Sequence, residues 1–290
     1  MAKSQVQELG LEELPAPPKS TWGIIGPGII AAGVGLASGE FIFYPYIAAH
    51  VRLSFVWAAA VGLITQYFIN MEIERYTLAT GETVLTGFSR LGRHWGIFFV
   101  ALALLANLWP GWVTGAATLI TYIAGGAGSI RWIAVGMLLS IGVILTFSPV
   151  VYRAMEGAQT LKVIAVGSLV VVAIAFAIPT GTWGATPASL ADVRLPVDEP
   201  GLGWAFLLGA LAYAGAGGGQ NLCQSNWIRD KGLGMGKHAP RIVSPLTGEP
   251  VAHSGTGWRF DVTDESLTRW QRWWKLLFDC QTQPVHRVKQ

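Results

Sequence analysis

The chain has 290 residues, of which 52% are hydrophobic and 13% are charged, and its mean hydropathy is +0.45. An ordinary soluble domain carries about 25% charged residues, so this composition indicates an integral membrane protein and excludes a typical soluble domain. The formal net charge of +3 is too small and too dispersed to indicate a nucleic acid partner. The two cysteines, Cys223 and Cys280, form neither a disulfide framework nor a metal-ligand spacing.

Residues 1–22 are polar, acidic and proline-bearing. A secretory signal would be basic and then apolar, so this segment does not resemble a cleaved leader. It is predicted to be a cytoplasmic arm.

Six apolar segments follow, each close to the roughly 20 residues that a helix needs to cross a bilayer. They cover residues 23–49, 54–71, 95–123, 132–151, 161–178 and 202–223. These segments predict an all-α membrane domain over residues 23–227, with a Pro/Gly/Asp-rich loop at residues 179–201. Residues 228–290 are polar and are predicted to be a cytoplasmic loop or tail, in which "RWQRWWKLLF" favours an amphipathic helix at the membrane interface.

The distribution of lysine and arginine predicts which side of the membrane each loop occupies. If the N-terminus is cytoplasmic, most of these residues fall in cytoplasmic segments, Arg153 and Lys162 among them. The outer loops then carry only Arg52, Arg131 and Arg194. Since positively charged loops stay on the cytoplasmic side, the chain is predicted to be a multi-pass protein of the cell membrane, inner or plasma, with a cytoplasmic N-terminus.

The first span contains one charged residue, Glu40, in the stretch "AGVGLASGEF". A charge at bilayer depth costs roughly 2.5–3.5 kcal/mol on insertion scales, so it usually has a function, a partner or access to water. The glycines before it, Gly35 and Gly39, are poor helix formers. A charge beside a helix break indicates a binding site.

The sixth span contains a second break, in the stretch "AYAGAGGGQNLCQSNW". Its glycines favour either close helix packing or an unwound segment that lines a cavity. Secondary transporters bind substrate near the midplane, between interrupted helices at corresponding positions of inverted repeats. Five spans separate the two breaks, as repeats of five helices would require. The residues predicted to interrupt the helices are Gly39, Gly217, Gly218 and Gly219.

The second span ends in a polar cluster. Gln66 and Asn70 lie on one helical face by their i, i+4 spacing and are predicted to belong to a polar pathway. Glu72, Glu74 and Arg75 follow at the cytoplasmic end, where interfacial anchoring with local ion pairing is the simplest interpretation.

Three stretches, "GPGIIAAGVGLASGEF", "ERYTLATGETVLTGF" and "GAGGGQNLCQSNWIRDKG", resemble the Nramp family of divalent-metal transporters, and its divergent bacterial members most closely. The resemblance covers about residues 20–240. It implies a five-plus-five inverted-repeat transporter fold, with an Asp-Pro-Gly-Asn motif breaking the first helix and a Met-Pro-His-Asn motif breaking the sixth. Residues 37–40 fall on the first motif and residues 218–221 on the second, where only Gly39 and Asn221 are kept.

The resemblance also implies a metal site whose chemistry the substitutions change. Ala37 stands where the family has its aspartate ligand, and Gly218 stands where the family has a methionine. The oxygen-bearing residues expected to bind the cation are Ser38, Glu40, Gln220 and Asn221. Oxygen ligands suit hard cations such as Mg²⁺ or Mn²⁺. The implied function is transport of a divalent metal cation, which is the substrate and not a resident cofactor.

Transporters of this inverted-repeat type have about ten spans, whereas six are predicted here. The chain is therefore expected to be a C-terminally truncated form that needs a second repeat or a partner chain for transport. The alternative is a non-transporting membrane scaffold, in which the glycines serve helix packing alone. An enzyme is not expected, because the spans contain no Ser/His/Asp set and the histidines are dispersed.

Overall fold

The computed structural model describes residues 8–18, 24–36, 39–108, 111–215, 217–240 and 257–282. This part of the chain is predominantly helical. The α-helices are α1 (Ile25–Gly35), α2 (Tyr44–Val51), α3 (Val56–Thr80), α4 (Val84–Leu91), α5 (Arg93–Asn107), α6 (Gly111–Ile123), α7 (Ile130–Phe147), α8 (Val151–Phe176), α9 (Thr180–Ala191), α10 (Trp204–Ala212), α11 (Gly219–Lys231) and α12 (Asp264–Thr282). A π-helical segment, Gly39–Phe43, runs into α2, and a 3-10 turn, Gly234–His238, follows α11. The strands β1 (Gly10–Leu11) and β2 (Trp258–Arg259) complete the described part.

Three helices in the described ranges, α3, α7 and α8, are long and apolar enough to cross a membrane. They correspond to the second, fourth and fifth predicted spans, so the predicted all-α membrane class is confirmed. The first, third and sixth predicted spans are each divided into two shorter helices, namely α1 and α2, α5 and α6, and α10 and α11. Only three of the six predicted spans are therefore continuous helices.

The third predicted span is divided between α5, which ends at Asn107, and α6, which begins at Gly111. The sequence between these two helices includes Pro110. Proline has no backbone N–H and disfavours the helical conformation of the residue before it. Hydropathy alone does not reveal the break between α5 and α6.

Helix α8 begins at Val151, a full ten residues before the predicted start of the fifth span at residue 161. Polar side chains in its first turns have partners on neighbouring elements. Lys231 Nζ donates to Glu156 Oε1 at 2.6 Å and lies 5.5 Å from the centroid of the Tyr152 ring.

The predicted loop at residues 179–201 contains the 12-residue helix α9. This corrects the expectation of an irregular loop, although α9 is too short to cross a bilayer. Pro187 is accommodated inside the helix.

The two halves of the divided first and sixth spans pack pairwise. Helix α1 packs against α8 and α11, and Ile30, Tyr152 and Trp227 form the buried cluster among these three helices. The π-helical segment packs against α10. A second buried cluster joins α2, α3 and α10 and consists of Ile47, Phe55, Ala58, Leu202, Leu207 and Ala210.

The N-terminal arm and the tail form one assembly beneath α3 and α11. Strands β1 and β2 pair in parallel, with Gly10 opposite Trp258. Helix α12 contains the predicted amphipathic stretch, and Trp273 on this helix is buried and donates its Nε1–H to the carbonyl of Pro15 at 2.7 Å. The apolar face of α12 thus packs on protein. The buried cluster at this end consists of Leu14, Ile24, Leu78, Ile228, Leu233, Met235 and Trp273.

Glu82 connects the end of α3 to the tail. Its carboxylate accepts hydrogen bonds from Arg90 Nε at 2.8 Å and Nη2 at 2.5 Å, from the Tyr76 hydroxyl at 2.7 Å and from the Gly257 backbone N–H at 2.9 Å. Burial alone would raise the pKa of Glu82, but the hydrogen bonds from Arg90, Tyr76 and Gly257 outweigh it and lower the pKa. The ionised carboxylate therefore stabilises the fold.

We expect Glu82→Gln to lower the free energy of unfolding by about 3 kcal/mol, because it removes one partner of a largely buried ion pair. Since the pKa of Glu82 is lowered in the folded chain, its contribution is present above its unfolded value of 4.5 and is lost as the pH falls through the folded-state pKa. Unfolding of the purified chain, followed over the acidic range, measures both effects.

The matched control is Glu72→Gln, because Glu72 is exposed and pairs with Arg75 on the same helix. Exposed pairs contribute about 0–1 kcal/mol. Equal losses of stability in the two variants would contradict the role assigned to Glu82.

Candidate functional site

The interruption of the sixth span lies between the end of α10 at Ala212 and the start of α11 at Gly219. Gly215, Gly217 and Gly218 have φ values of +86°, +50° and +57°. Side-chain-bearing residues rarely adopt this left-handed region, whereas glycine enters it without a steric penalty. The backbone conformation requires glycine at these three positions, whether or not the glycines also allow close helix packing.

Gln66 on α3 bridges this interruption. Its Nε2 donates to the carbonyl of Ala214 at 2.5 Å, and its Oε1 accepts from the backbone N–H of Gly217 at 3.2 Å. A backbone polar group without a partner at bilayer depth costs several kcal/mol, so an unwound segment needs such a bridge. The side chain predicted to belong to a polar pathway is thus bound to the backbone of the break.

Gly62, one turn earlier on α3, allows α3 to approach the same segment. A Cβ atom at this position would lie 2.6 Å from Ala214 Cβ and 2.9 Å from the carbonyl oxygen of Leu211. Any larger residue would displace α3 from the break. The sequence analysis did not identify Gly62, and its i, i+4 spacing to Gln66 is the signal that points to it.

The interruption of the first span lies between the end of α1 at Gly35 and the start of the π-helical segment at Gly39. Ala37, Ser38 and the side chain of Glu40 lie outside the described residues. Whether they belong to the site stays a prediction.

Lys162 on α8 binds the end of α1. Its Nζ donates to the carbonyl of Gly33 at 2.6 Å, across 129 positions of sequence. The last carbonyls of a helix lack intrahelical partners and carry the negative end of the helix dipole, so an ammonium group stabilises them. Lys162 thus lies within α8 and binds α1 near its C-terminal end.

The predicted ligands of the sixth span lie in the first turn of α11 and face different surroundings. Gln220 is exposed, whereas Asn221 is buried and its Oδ1 has no hydrogen-bond partner. On α3, Asn70 is half-buried, and its Oδ1 also has no partner. The amide oxygens of Asn70 and Asn221 are thus buried acceptors without a partner among the described residues.

No group of three or more His, Cys, Asp or Glu side chains within the described ranges could hold a metal ion. The oxygen-rich ligand set that the sequence predicts stays a prediction.

A cavity of about 600 Å³ lies at the end of α2 and beside the segment that follows α9. Charges of both signs line it, including Arg52, Asp192, Arg194 and Glu199. Asp192 accepts hydrogen bonds from Arg194 Nε at 2.9 Å and from the Ser54 hydroxyl at 3.2 Å. None of the described residues at the two interruptions lines this cavity.

Comparison with known proteins identifies no relative. No family model, no curated protein and no solved structure matches the chain. The resemblance to the Nramp family thus rests on the three sequence stretches alone.

We expect Gln66→Leu to lower the free energy of unfolding by about 2 to 4 kcal/mol, because a buried group that loses its hydrogen-bond partner costs about 1–3 kcal/mol and two groups are affected. Hydrogen exchange of the amides at residues 213–219 should accelerate more than exchange in α7, since the loss is local. The matched control is Thr65→Val, because Thr65 is exposed on the same helix and bonds only within it. Unaltered exchange at Gly217 in Gln66→Leu would show that the bridge does not hold the break.

Proposed function

We propose that the chain forms the first-repeat part of a secondary transporter, which binds a small hard cation between two interrupted helices. The observation that supports this most directly is the interruption between α10 and α11, which glycines permit and Gln66 bridges. Irregular backbone at membrane depth is tolerated where it is buried in protein or lines a cavity, and transporters use it to bind substrates and ions.

The pairing of the half-helices supports the same function. Helix α1 packs on α11, and the π-helical segment before α2 packs on α10. The two interruptions are thus flanked by the same pairs of half-helices. This arrangement suits a shared site to which both interruptions contribute.

The proposed ligands are oxygen atoms. Gln220, Asn221 and Ser38 offer amide and hydroxyl oxygens, and Glu40 offers a carboxylate. Such a set suits Mg²⁺ or Mn²⁺ better than a soft metal. We propose that the Glu40 carboxylate balances the charge of the incoming cation.

We further propose where the site lies in the cell and what would complete it. The chain would lie in the cell membrane with its N-terminus in the cytoplasm, as the distribution of lysine and arginine favours. A second repeat, or another chain that supplies it, would complete the site. Proton coupling is not part of the proposal.

Protection of an introduced thiol tests cation binding. Gln220→Cys is made in a background with Cys223→Ser and Cys280→Ser, because Gln220 is exposed in the first turn of α11. In liposomes, Mg²⁺ or Mn²⁺ is expected to slow modification of this thiol by a water-soluble methanethiosulfonate severalfold. Glu40→Gln in the same background should remove the protection.

The control thiol is introduced by Thr268→Cys on α12, where Thr268 is exposed and distant in sequence from both interruptions. The cations should leave its modification rate unchanged. Equal rates at position 220 with and without each cation would contradict the proposal and favour the non-transporting scaffold.

A further inference from the structure

The cavity of about 600 Å³ beside the end of α2 is lined by charged side chains that do not neutralise one another. Asp192 is paired with Arg194. Arg52, Asp198 and Glu199 also line the cavity, and within the described ranges their side chains have no ion-pair or hydrogen-bond partner. One guanidinium and two carboxylates thus share the cavity without contacting each other.

Arg52 has a backbone conformation that favours glycine. Its φ and ψ are +56° and −129°, and in the described part of the chain it is the only residue other than glycine with a positive φ. The Ser54 N–H donates to the carbonyl of Val51 at 3.4 Å, so Arg52 is the second residue of a turn. These angles are those of a type II′ turn, which has glycine at this position. Strain of this kind clusters at binding sites, where the side chain has a use that offsets it.

The carboxylates lie on a segment that is anchored at both ends. Val197 and Leu202 pack in the buried cluster that joins α2, α3 and α10. The N–H of Leu202 donates to the carbonyl of Glu199 at 3.0 Å. Trp57 on α3 donates its Nε1–H to the carbonyl of Arg194 at 3.2 Å, which fixes the start of the segment. This wall of the cavity is therefore held in place against α2 and α3.

His50 adds an acceptor to the cavity. Its Nδ1 lies 2.9 Å from the carbonyl oxygen of Tyr46, and a carbonyl can only accept, so Nδ1 carries the proton. In the neutral imidazole, Nε2 is then an acceptor. An ammonium group in the cavity can donate to His50 Nε2 and to the carboxylates, whereas an anionic group can accept from the Arg52 guanidinium.

We propose that this cavity binds a small zwitterion, whose anionic group pairs with Arg52 and whose ammonium group binds Asp198 and Glu199. A free α-amino acid has this chemistry, and so has the headgroup of an ethanolamine phospholipid. The cavity volume lies within the range of roughly 300–1,000 Å³ that is usual for small-molecule sites. The site is separate from the cation site proposed between the interrupted helices.

Equilibrium dialysis of the full chain in lipid-free detergent tests the proposal, with radiolabelled L-alanine as the probe and without divalent cations. Alanine is expected to bind saturably, and unlabelled glycerophosphoethanolamine, which represents the lipid headgroup, should displace it. Ethylammonium and propionate carry one charge each, so they should displace it roughly tenfold less well, because each leaves one charged contact unmade. The tighter of alanine and glycerophosphoethanolamine identifies the source of the zwitterion.

Variants at position 52 separate binding from structure. Glycine adopts the observed φ without strain, so Arg52→Gly should keep or raise the midpoint of thermal unfolding while the affinity for alanine falls roughly tenfold. Arg52→Lys retains the charge and should restore part of the affinity. Glu199→Gln should weaken binding, because the ammonium group loses a charged acceptor. The control is Arg131→Gln, which removes an exposed positive charge on α7 that does not line the cavity, and it should bind alanine normally.

Absence of saturable binding of both alanine and glycerophosphoethanolamine would overturn the proposal. Equal affinities of the unaltered chain and Arg52→Gly would exclude Arg52 as the group that binds the anion. Equally strong displacement by ethylammonium would contradict the assignment to a zwitterion. Because dialysis is performed without divalent cations, and thiol protection at position 220 uses no zwitterion, either proposal can fail without the other.

Discussion

The two hydrogen bonds made by Gln66 are the interaction on which the sixth-span interruption depends. A helix that stops inside the membrane leaves a carbonyl and an N–H that lipid cannot satisfy. A glutamine amide offers a donor and an acceptor from one side chain, so it binds the Ala214 carbonyl and the Gly217 N–H together. A carboxylate could serve only the N–H, and an ammonium group only the carbonyl. The break therefore requires an amide at this position as much as it requires the glycines.

Helix α3 carries this bridge and extends its effect toward the tail. Gly62 brings α3 against the break, Glu74 binds Gln224 on α11, and Leu78 belongs to the buried cluster that contains Trp273. Just beyond the helix, Glu82 binds Arg90 and the backbone of Gly257. Movement of α11 away from α3 would break several of these contacts at once. The pair α3 and α11 is thus the part of the molecule that joins the interruption to the assembly of the N-terminal arm and the tail.

Local chemistry explains which features the sequence could predict. The apolar segments predicted the all-α membrane class, and the positions of α3 and α7 agree with it, because hydropathy over some 20 residues is a local property. The glycines from Gly215 to Gly218 mark the break because their conformational freedom is also local. The amide at Gln66 was noticed as polar, but its partners are about 150 positions away. Its role as a bridge could not be inferred from periodicity.

Contacts between distant residues account for what the sequence did not indicate. The carbonyl that Lys162 binds, in Gly33, lies 129 positions away. Glu156, near the start of α8, pairs with Lys231 on α11. The pairing of β1 with β2 joins segments that hydropathy treats as unrelated polar ends. Each of these contacts satisfies a polar group through a non-local partner, which a single sequence does not specify.

Helix α11 is held by polar contacts to two neighbouring helices. Lys231 donates to Glu156 on α8 at 2.6 Å and lies over the Tyr152 ring. Gln224 donates to Glu74 on α3, where both side chains are buried. Because the two contacts involve different helices, weakening of the contact with α3 would leave the ion pair between Lys231 and Glu156 in place.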